Sequence, residues 1–342
     1  MSIFSIIDCT LRDGGYLNNW QFDDKFCIEC INTLIKSNVD IVECGFLSEQ
    51  SGNDIVGTNF KSIEKINNFL KQNNLNNASS RFALMLKPDE YDVQNLPKCD
   101  KAENVISIIR VMLYKNEVKE SFDKLKHIID KGYELHIQPT IISHYSDKEI
   151  IDMLELFKSL DYHSISIVDT FGALNEKEIE RITILFDRYA NKNSKLSIHC
   201  HNNLSLAYQN VIAFAETISP TRDAYIDASI NSLGRGAGNL QTELLITWLK
   251  NEKNMKYLVS PIITFREEFI SKLNKNISEK DFYAFSTTAK KNMHPNYAIW
   301  LILQKFNRLE VQKFLEAIPT DKYESFDFHY IKELCEKEPT NF

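Results

Sequence analysis

A chain of 342 residues has room for one large domain, or a large domain and a small one, and can bury a substantial core. Its 43% apolar and 25% charged residues are the proportions of an ordinary globular protein in water. A net charge of -7 with no basic stripe argues against nucleic-acid binding, and no apolar run is long enough to cross a membrane.

The apolar run Ile3 to Ile7 has no cationic segment before it and is stopped by Asp8, so it reads as a strand and not as a targeting signal. Seven cysteines, an odd number scattered through apolar stretches, fit buried thiols in a reducing cytoplasm better than a disulfide framework. Cys27 and Cys30 stand one turn apart in an amphipathic helical pattern. No second pair completes a zinc site, so they read as core residues.

Eight β-branched and apolar runs predict strands: Ile3 to Thr10, Val39 to Phe46, Arg81 to Leu86, Val105 to Leu113, Glu134 to Pro139, Ser164 to Thr170, Lys195 to His201 and Tyr225 to Leu233. Amphipathic stretches alternate with them: Asp24 to Lys36, Lys61 to Gln72, Glu117 to Lys131, Asp147 to Leu160, Glu176 to Tyr189, Leu206 to Thr217 and Asn239 to Lys250. Eight alternating units argue for an α/β fold of the closed TIM (β/α)₈ type. An open doubly wound sheet would need a nucleotide-binding glycine fingerprint near the first strand, which is lacking. Beyond residue 253 the alternation gives way to helical patterns at Phe265 to Asn274, Tyr297 to Phe306, Arg308 to Ala317 and Tyr330 to Glu338. The expected division is a catalytic barrel over 1–253 and a C-terminal helical region over 254–342.

Chemistry in such barrels sits at the C-terminal ends of the strands. Arg12 and Asp13 follow the first strand, and Glu43 lies late in the second. Asp169 and Thr170 end the sixth, and His199 and His201 end the seventh. The loop Gly234-Arg235-Gly236-Ala237-Gly238-Asn239 follows the eighth. His199 and His201, at i and i+2 of a strand, share a face, while Cys200 points to the other. One carboxylate and two imidazoles form a partial shell for a divalent ion with open positions, and Asn239 could add an oxygen. Arg12 beside such an ion would stabilise negative charge on a substrate oxygen.

Each residue has a simpler role open to it. Asp13 could cap a turn, the histidines could be satisfied core groups, and Asn239 could cap a helix. Glu43 could bind substrate, hold a water or orient Arg12. Convergence of all of them on one rim favours the metal site.

Thr10-Leu11-Arg12-Asp13-Gly14, Glu43-Cys44-Gly45-Phe46, His199-Cys200-His201-Asn202-Asn203-Leu204-Ser205-Leu206 and Gly236-Ala237-Gly238-Asn239 resemble the DRE-TIM metallolyase (HMGL-like) superfamily. The resemblance covers roughly residues 3 to 250 and is nearest the 4-hydroxy-2-oxovalerate aldolase branch. It implies one Mn²⁺ or Mg²⁺ held by Asp13, His199 and His201, with Asn239 a ligand in some members. It also implies that Arg12 stabilises an enolate oxygen, and that Thr170, beside Asp169, meets the carboxylate of a pyruvate-like substrate.

The implied activity is metal-dependent cleavage or formation of a 4-hydroxy-2-oxo acid from a 2-oxo acid and an aldehyde. An acyl-CoA-dependent condensing enzyme is the alternative, and a non-catalytic barrel a third. Homo-oligomers and an aldehyde dehydrogenase partner are both compatible with the sequence. The related aldolases carry a histidine four residues after the arginine, where this chain has Tyr16. Tyr16 and His294, the latter extended ahead of Pro295, are therefore the candidates for moving the proton. A second family histidine is here Asn202.

Overall fold

The structure, a computed structural model, describes residues 3–49, 57–76, 78–100, 105–273 and 281–337. Asn274 and Glu338, which end two of the predicted helical segments, lie outside the described residues. The strands are β1 (Phe4–Asp8), β2 (Ile41–Leu47), β3 (Asn59–Phe60), β4 (Arg81–Leu86), β5 (Ile106–Leu113), β6 (Glu134–Pro139), β7 (Ser164–Asp169), β8 (Lys195–Cys200) and β9 (Ala224–Ala228). Eight of them close a parallel barrel in the order β1-β9-β8-β7-β6-β5-β4-β2, with β2 returning to β1, and the two-residue β3 extends β2. This is a TIM barrel surrounded by helices.

The alternation of strand side chains sorts the residues into two layers. Outward residues such as Ile6, Val42, Leu84, Ile109, Ile137, Ile167 and Ile198 form the large core with the helices α2 (Asp24–Lys36), α3 (Ile63–Gln72), α4 (Phe122–Asp130), α5 (Asp147–Phe157), α6 (Glu176–Tyr189), α7 (Ala207–Thr217) and α8 (Thr242–Lys253). Inside the barrel the apolar cluster is small: Ile7, Ile41, Ala83, Ile108 and Tyr225. Above it stand charged residues, buried because they pair with one another.

Several helix starts are written in the sequence. Asp23 caps α2 by accepting the Phe26 N–H at 2.7 Å. Ser146 with Glu149 and Asn175 with Glu178 form capping boxes on α5 and α6. Cys27 and Cys30 are buried in the core face of α2.

Two local differences from the sequence reading have clear causes. The first strand ends at Asp8 and passes into a helical turn, α1 (Thr10–Asp13). Asp8 anchors it by accepting the Thr10 N–H at 2.9 Å and the Thr242 hydroxyl at 2.6 Å. The last strand stops at Ala228, because Asn231 and Ser232 take left-handed backbone at φ 53° and 58°.

Beyond Lys253 the chain does two things. Tyr257, Ile262, Phe265 and Ile270 join the barrel core, with α9 (Ser260–Glu268) packing Phe265 on Phe26. Then α10 (Phe282–Lys290), α11 (Asn296–Leu303), α12 (Arg308–Ala317) and α13 (Phe328–Lys337) build a second, smaller core around Phe285, Tyr297, Leu301, Phe314 and Leu315. Helix α10 has no counterpart among the predicted elements. Its Ser286, Thr287 and Thr288 are poor helix formers, and all three hydroxyls bond back to carbonyls of the same helix. Among the described residues no helix is long and apolar enough to cross a membrane.

Candidate metal centre and active site

The helical turn α1 puts Arg12 and Asp13 at the C-terminal mouth of the barrel. β8 ends beside them with His199 turned inward, and His201 follows in an antiparallel bridge to Asn239. His199 Nε2 and His201 Nε2 each lie 3.7 Å from Asp13 Oδ2, and one ligand atom from each of the three residues falls within 4.8 Å of the others. Cys200 faces the other way, into the core between sheet and helices.

The imidazoles are set up as donors to a cation. His199 Nδ1 is 3.0 Å from Asp227 Oδ2, and His201 Nδ1 is 3.2 Å from the Arg235 carbonyl. These oxygens only accept, so each Nδ1 carries a hydrogen toward its acceptor while each Nε2 faces Asp13. Burial pushes His201 down to about 3, against the pull of Asp13, so its ring is neutral. For Asp13 burial works toward a higher pKa, but the positive charge around it, Arg12 foremost, outweighs burial and holds the carboxyl well below the usual range. Asn239 Nδ2 donates to Asp13 Oδ2 at 2.5 Å, and its Oδ1 is buried without a hydrogen-bond partner. Two buried imidazoles, that of His201 neutral, and an ionised carboxylate fit one divalent cation.

Beneath this cluster runs a chain of buried ion pairs. Arg12 Nε donates to Glu43 Oε2 at 2.7 Å and its NH1 to Asp13 Oδ1 at 2.9 Å. Arg110, fully buried on β5, lies 3.0 Å from Glu43 Oε1 and 2.5 Å from Asp227 Oδ2. Arg110 thus ties the carboxylate that aims Arg12 to the carboxylate that aims His199. Neither Arg110 nor Asp227 was among the residues singled out from the sequence. Each is the lone charge within its strand's largely apolar run, and a buried charge is a signal of pairing or function.

The cavity over the cluster is lined by Arg12, Asp13, Tyr16, Thr170, His199, His201, Arg235 and His294, with Met85, Met112, Val168 and Phe171 among the apolar walls. Thr170 Oγ1 accepts the Ile141 N–H at 2.7 Å, which leaves its O–H to donate into the cavity. His294 reaches the mouth from the C-terminal helices. Its Nδ1 accepts the N–H of Asn296, the first residue of α11, at 3.1 Å, so it serves both the helix start and the cavity. Its Nε2 therefore carries the hydrogen. Burial, helped by Arg235, lowers it to about 3. Asn202 caps α7, accepting the Ala207 N–H at 3.2 Å.

Two expected site residues lie elsewhere. Glu43 is not exposed to the cavity. Both its oxygens face guanidinium groups, so of the roles open to it the geometry matches the orienting of Arg12. Asp169 is opposite Cys200 in the β7–β8 register, whereas Val168 is opposite His199, so Asp169 points outward. Its carboxylate accepts the N–H groups of Ala173 and Leu174 at 2.9 and 3.3 Å and organises the loop, and substrate binding is not its role.

Burial raises Asp169 to about 7. The folded state then holds a proton that the unfolded chain releases near pH 4, so this residue makes stability fall as pH rises from about 4 to about 7. Urea midpoints across that window should fall less steeply in Asp169→Asn than in the parent; equal slopes would refute the assignment.

A second His/carboxylate group, Glu134, His136 and His163, sits at the opposite, N-terminal pole. Arg81 pairs with Glu134 at 2.5 Å, and the Lys195 amine lies over the Tyr225 ring nearby. These cations disfavour a metal there.

Fold and site together define a (β/α)₈ barrel with a carboxylate, an arginine and two imidazoles at its C-terminal mouth. Residues 3–267 match the HMGL-like family model, and the chain belongs to the HMGL-like family. The 4-hydroxy-2-oxovalerate aldolase of Carboxydothermus hydrogenoformans is 27% identical over 249 residues, 71% of this chain and 70% of that protein. The 2-isopropylmalate synthase of a Geobacillus species is 26% identical over 82% of this chain and 57% of its own length. Among solved structures, the N-terminal domain of a Bacteroides vulgatus protein superposes with a TM-score of 0.73 at 22% identity, over 90% of this chain and 99% of that one. The HMG-CoA lyase of Brucella melitensis gives 0.61 at 18% identity, over 78% and 96%.

Proposed function

We propose that this protein is a class II pyruvate aldolase, a carbon–carbon lyase acting on 4-hydroxy-2-oxo acids. The observation that carries the reading is the shared mouth of Arg12, Asp13 and two imidazoles with their Nε2 atoms turned toward Asp13. Asp13, His199 and His201 would hold Mn²⁺ or Mg²⁺, with Asn239 Oδ1 as a further donor. Such a cation supplies Lewis acidity at the keto oxygen of a 2-oxo acid.

The chain's own residues do the rest. Arg12, clamped by Glu43 and Asp13, turns its remaining N–H groups to the oxygen on which charge develops as pyruvate enolate forms. Thr170 donates its hydroxyl to the substrate carboxylate. In the addition direction the pyruvate methyl carbon bonds to the aldehyde carbon, and the aldehyde oxygen takes a proton. The Tyr16 hydroxyl at the cavity wall would supply that proton, with the neutral His294 Nε2–H donating only a hydrogen bond there. In cleavage the same donor takes the proton back from the 4-hydroxyl.

The similarity to a 2-isopropylmalate synthase over 82% of the chain supports a second reading, Claisen-type condensation with an acyl-CoA. Pyruvate release from a panel of 4-hydroxy-2-oxo acids with Mn²⁺ or Mg²⁺, run beside thiol release from acetyl-CoA and 2-oxo acids, separates the two. Pyruvate release alone supports the aldolase; thiol release alone overturns it. Asp13→Ala should bind Mn²⁺ at least tenfold more weakly by titration, and chelation should abolish activity in the parent. Unchanged Mn²⁺ affinity in Asp13→Ala would remove the metal centre from this mouth.

A further inference from the structure

Two guanidinium groups face the cavity, and only one is neutralised. Arg12 is held between Glu43 and Asp13. Arg235 forms no ion pair with a carboxylate among the described residues, and its guanidinium lies over the Tyr16 ring at 4.0 Å from the centroid. It lines the mouth together with Tyr114, His201 and His294. No lysine lines the cavity, which leaves Arg235 as its one cation without a carboxylate partner among the described residues.

The loop that carries Arg235 is fixed. Gly236 and Gly238 take φ of +67° and +88°, and a Cβ on Gly238 would meet the Ser232 carbonyl oxygen at 1.7 Å. Asn203 joins this loop to the one after β7, accepting the Ala237 N–H at 2.8 Å and donating to the Phe171 carbonyl at 3.0 Å. The Arg235 carbonyl receives the His201 Nδ1–H. Position is therefore set by backbone, and the side chain remains available for a ligand. Thr170 follows β7 and Arg235 follows β9, so the two flank the histidines at the end of β8. An anion held by Arg235 lies on the other side of the histidines from a carboxylate held by Thr170.

We propose that Arg235, on its Tyr16 platform, is an anion subsite that selects aldehydes carrying a carboxylate or a phosphate. This rests on the aldolase reading for its substrate but on Arg235 alone for its charge. Arginine suits the task, since its planar fork stacks on an aromatic face while its edge binds an oxyanion.

The test uses the full chain with Mn²⁺ and pyruvate, and compares succinate semialdehyde with butanal and glycolaldehyde phosphate with glycolaldehyde. The parent should prefer the anionic member of at least one pair by about tenfold or more in kcat/KM, the usual scale for a hydrogen bond to a charged group. The pair that shows it identifies carboxylate or phosphate as the anion. In Arg235→Ala the ratio should fall to near one, with partial recovery in Arg235→Lys. Absence of any preference in the parent, or an undiminished preference in Arg235→Ala, overturns the subsite.

Hydrogen–deuterium exchange at the pyruvate methyl, which needs no aldehyde, reads the underlying function separately. If exchange is absent, the pyruvate reading fails and the subsite is judged by calorimetric titration with succinate and with inorganic phosphate. Roughly tenfold weaker binding of either in Arg235→Ala sustains it, and equal or undetectable binding of both in parent and variant refutes it.

Discussion

Arg12→Ala is expected to lower turnover on the order of 10²–10³-fold while leaving the metal bound. The guanidinium is pre-aimed: Glu43 fixes Nε and Asp13 fixes NH1, so no reorganisation is needed as negative charge appears on the substrate oxygen. Mn²⁺ affinity should change little, because Asp13, His199 and His201 remain. Arg12→Lys should rescue poorly, since an ammonium cannot reproduce the forked contacts with two carboxylates. Mn²⁺ titration beside steady-state kinetics checks the claim. Near-normal turnover with intact metal binding would show that Arg12 only neutralises Glu43.

The second large effect is expected at Arg110, which lies beneath the site and does not line the cavity. Arg110→Met should destabilise the fold by about 3–5 kcal/mol in urea unfolding, because Glu43 and Asp227 would be left deep in the barrel without their shared cation. Adding Asp227→Asn should recover part of that loss by removing one of the uncompensated charges. The double variant should still bind metal about 10–100-fold more weakly, since His199 loses the carboxylate that orders its ring. A urea midpoint close to that of the parent in Arg110→Met would mean the buried ion pairs contribute nothing net. In that case Arg110 would be ordinary core.

The sequence by itself determined the repeating units and the parity of the site. Alternation of apolar strands with amphipathic helices is a local property, and four barrel elements, α2, α6, β4 and β6, begin and end where composition and caps place them. Two histidines at i and i+2 share a strand face for the same local reason, and the arginine–aspartate pair lies after the first strand by chain order alone. The same parity, applied through the β7–β8 register, turns Asp169 outward with Cys200, but that register exists only once the strands have paired.

What tertiary structure alone decided is which distant groups share a cavity and which share a charge. Glu43 looks from sequence as able to meet substrate as Arg12, yet Arg110, brought across the barrel from β5, takes its second oxygen and draws it beneath the site. His294 enters the mouth because a second core around Phe285, Tyr297 and Phe314 carries α10 and α11 over the barrel end, where Asn292 meets Ser143 and His294 meets Phe171. Arg235 gains its role from Tyr16, more than two hundred residues away. Hydrophobic periodicity reports which face of an element is buried, whereas pairing of charges depends on which elements closure makes neighbours. The barrel was therefore legible in the chain, and the buried network that aims its catalytic groups was not.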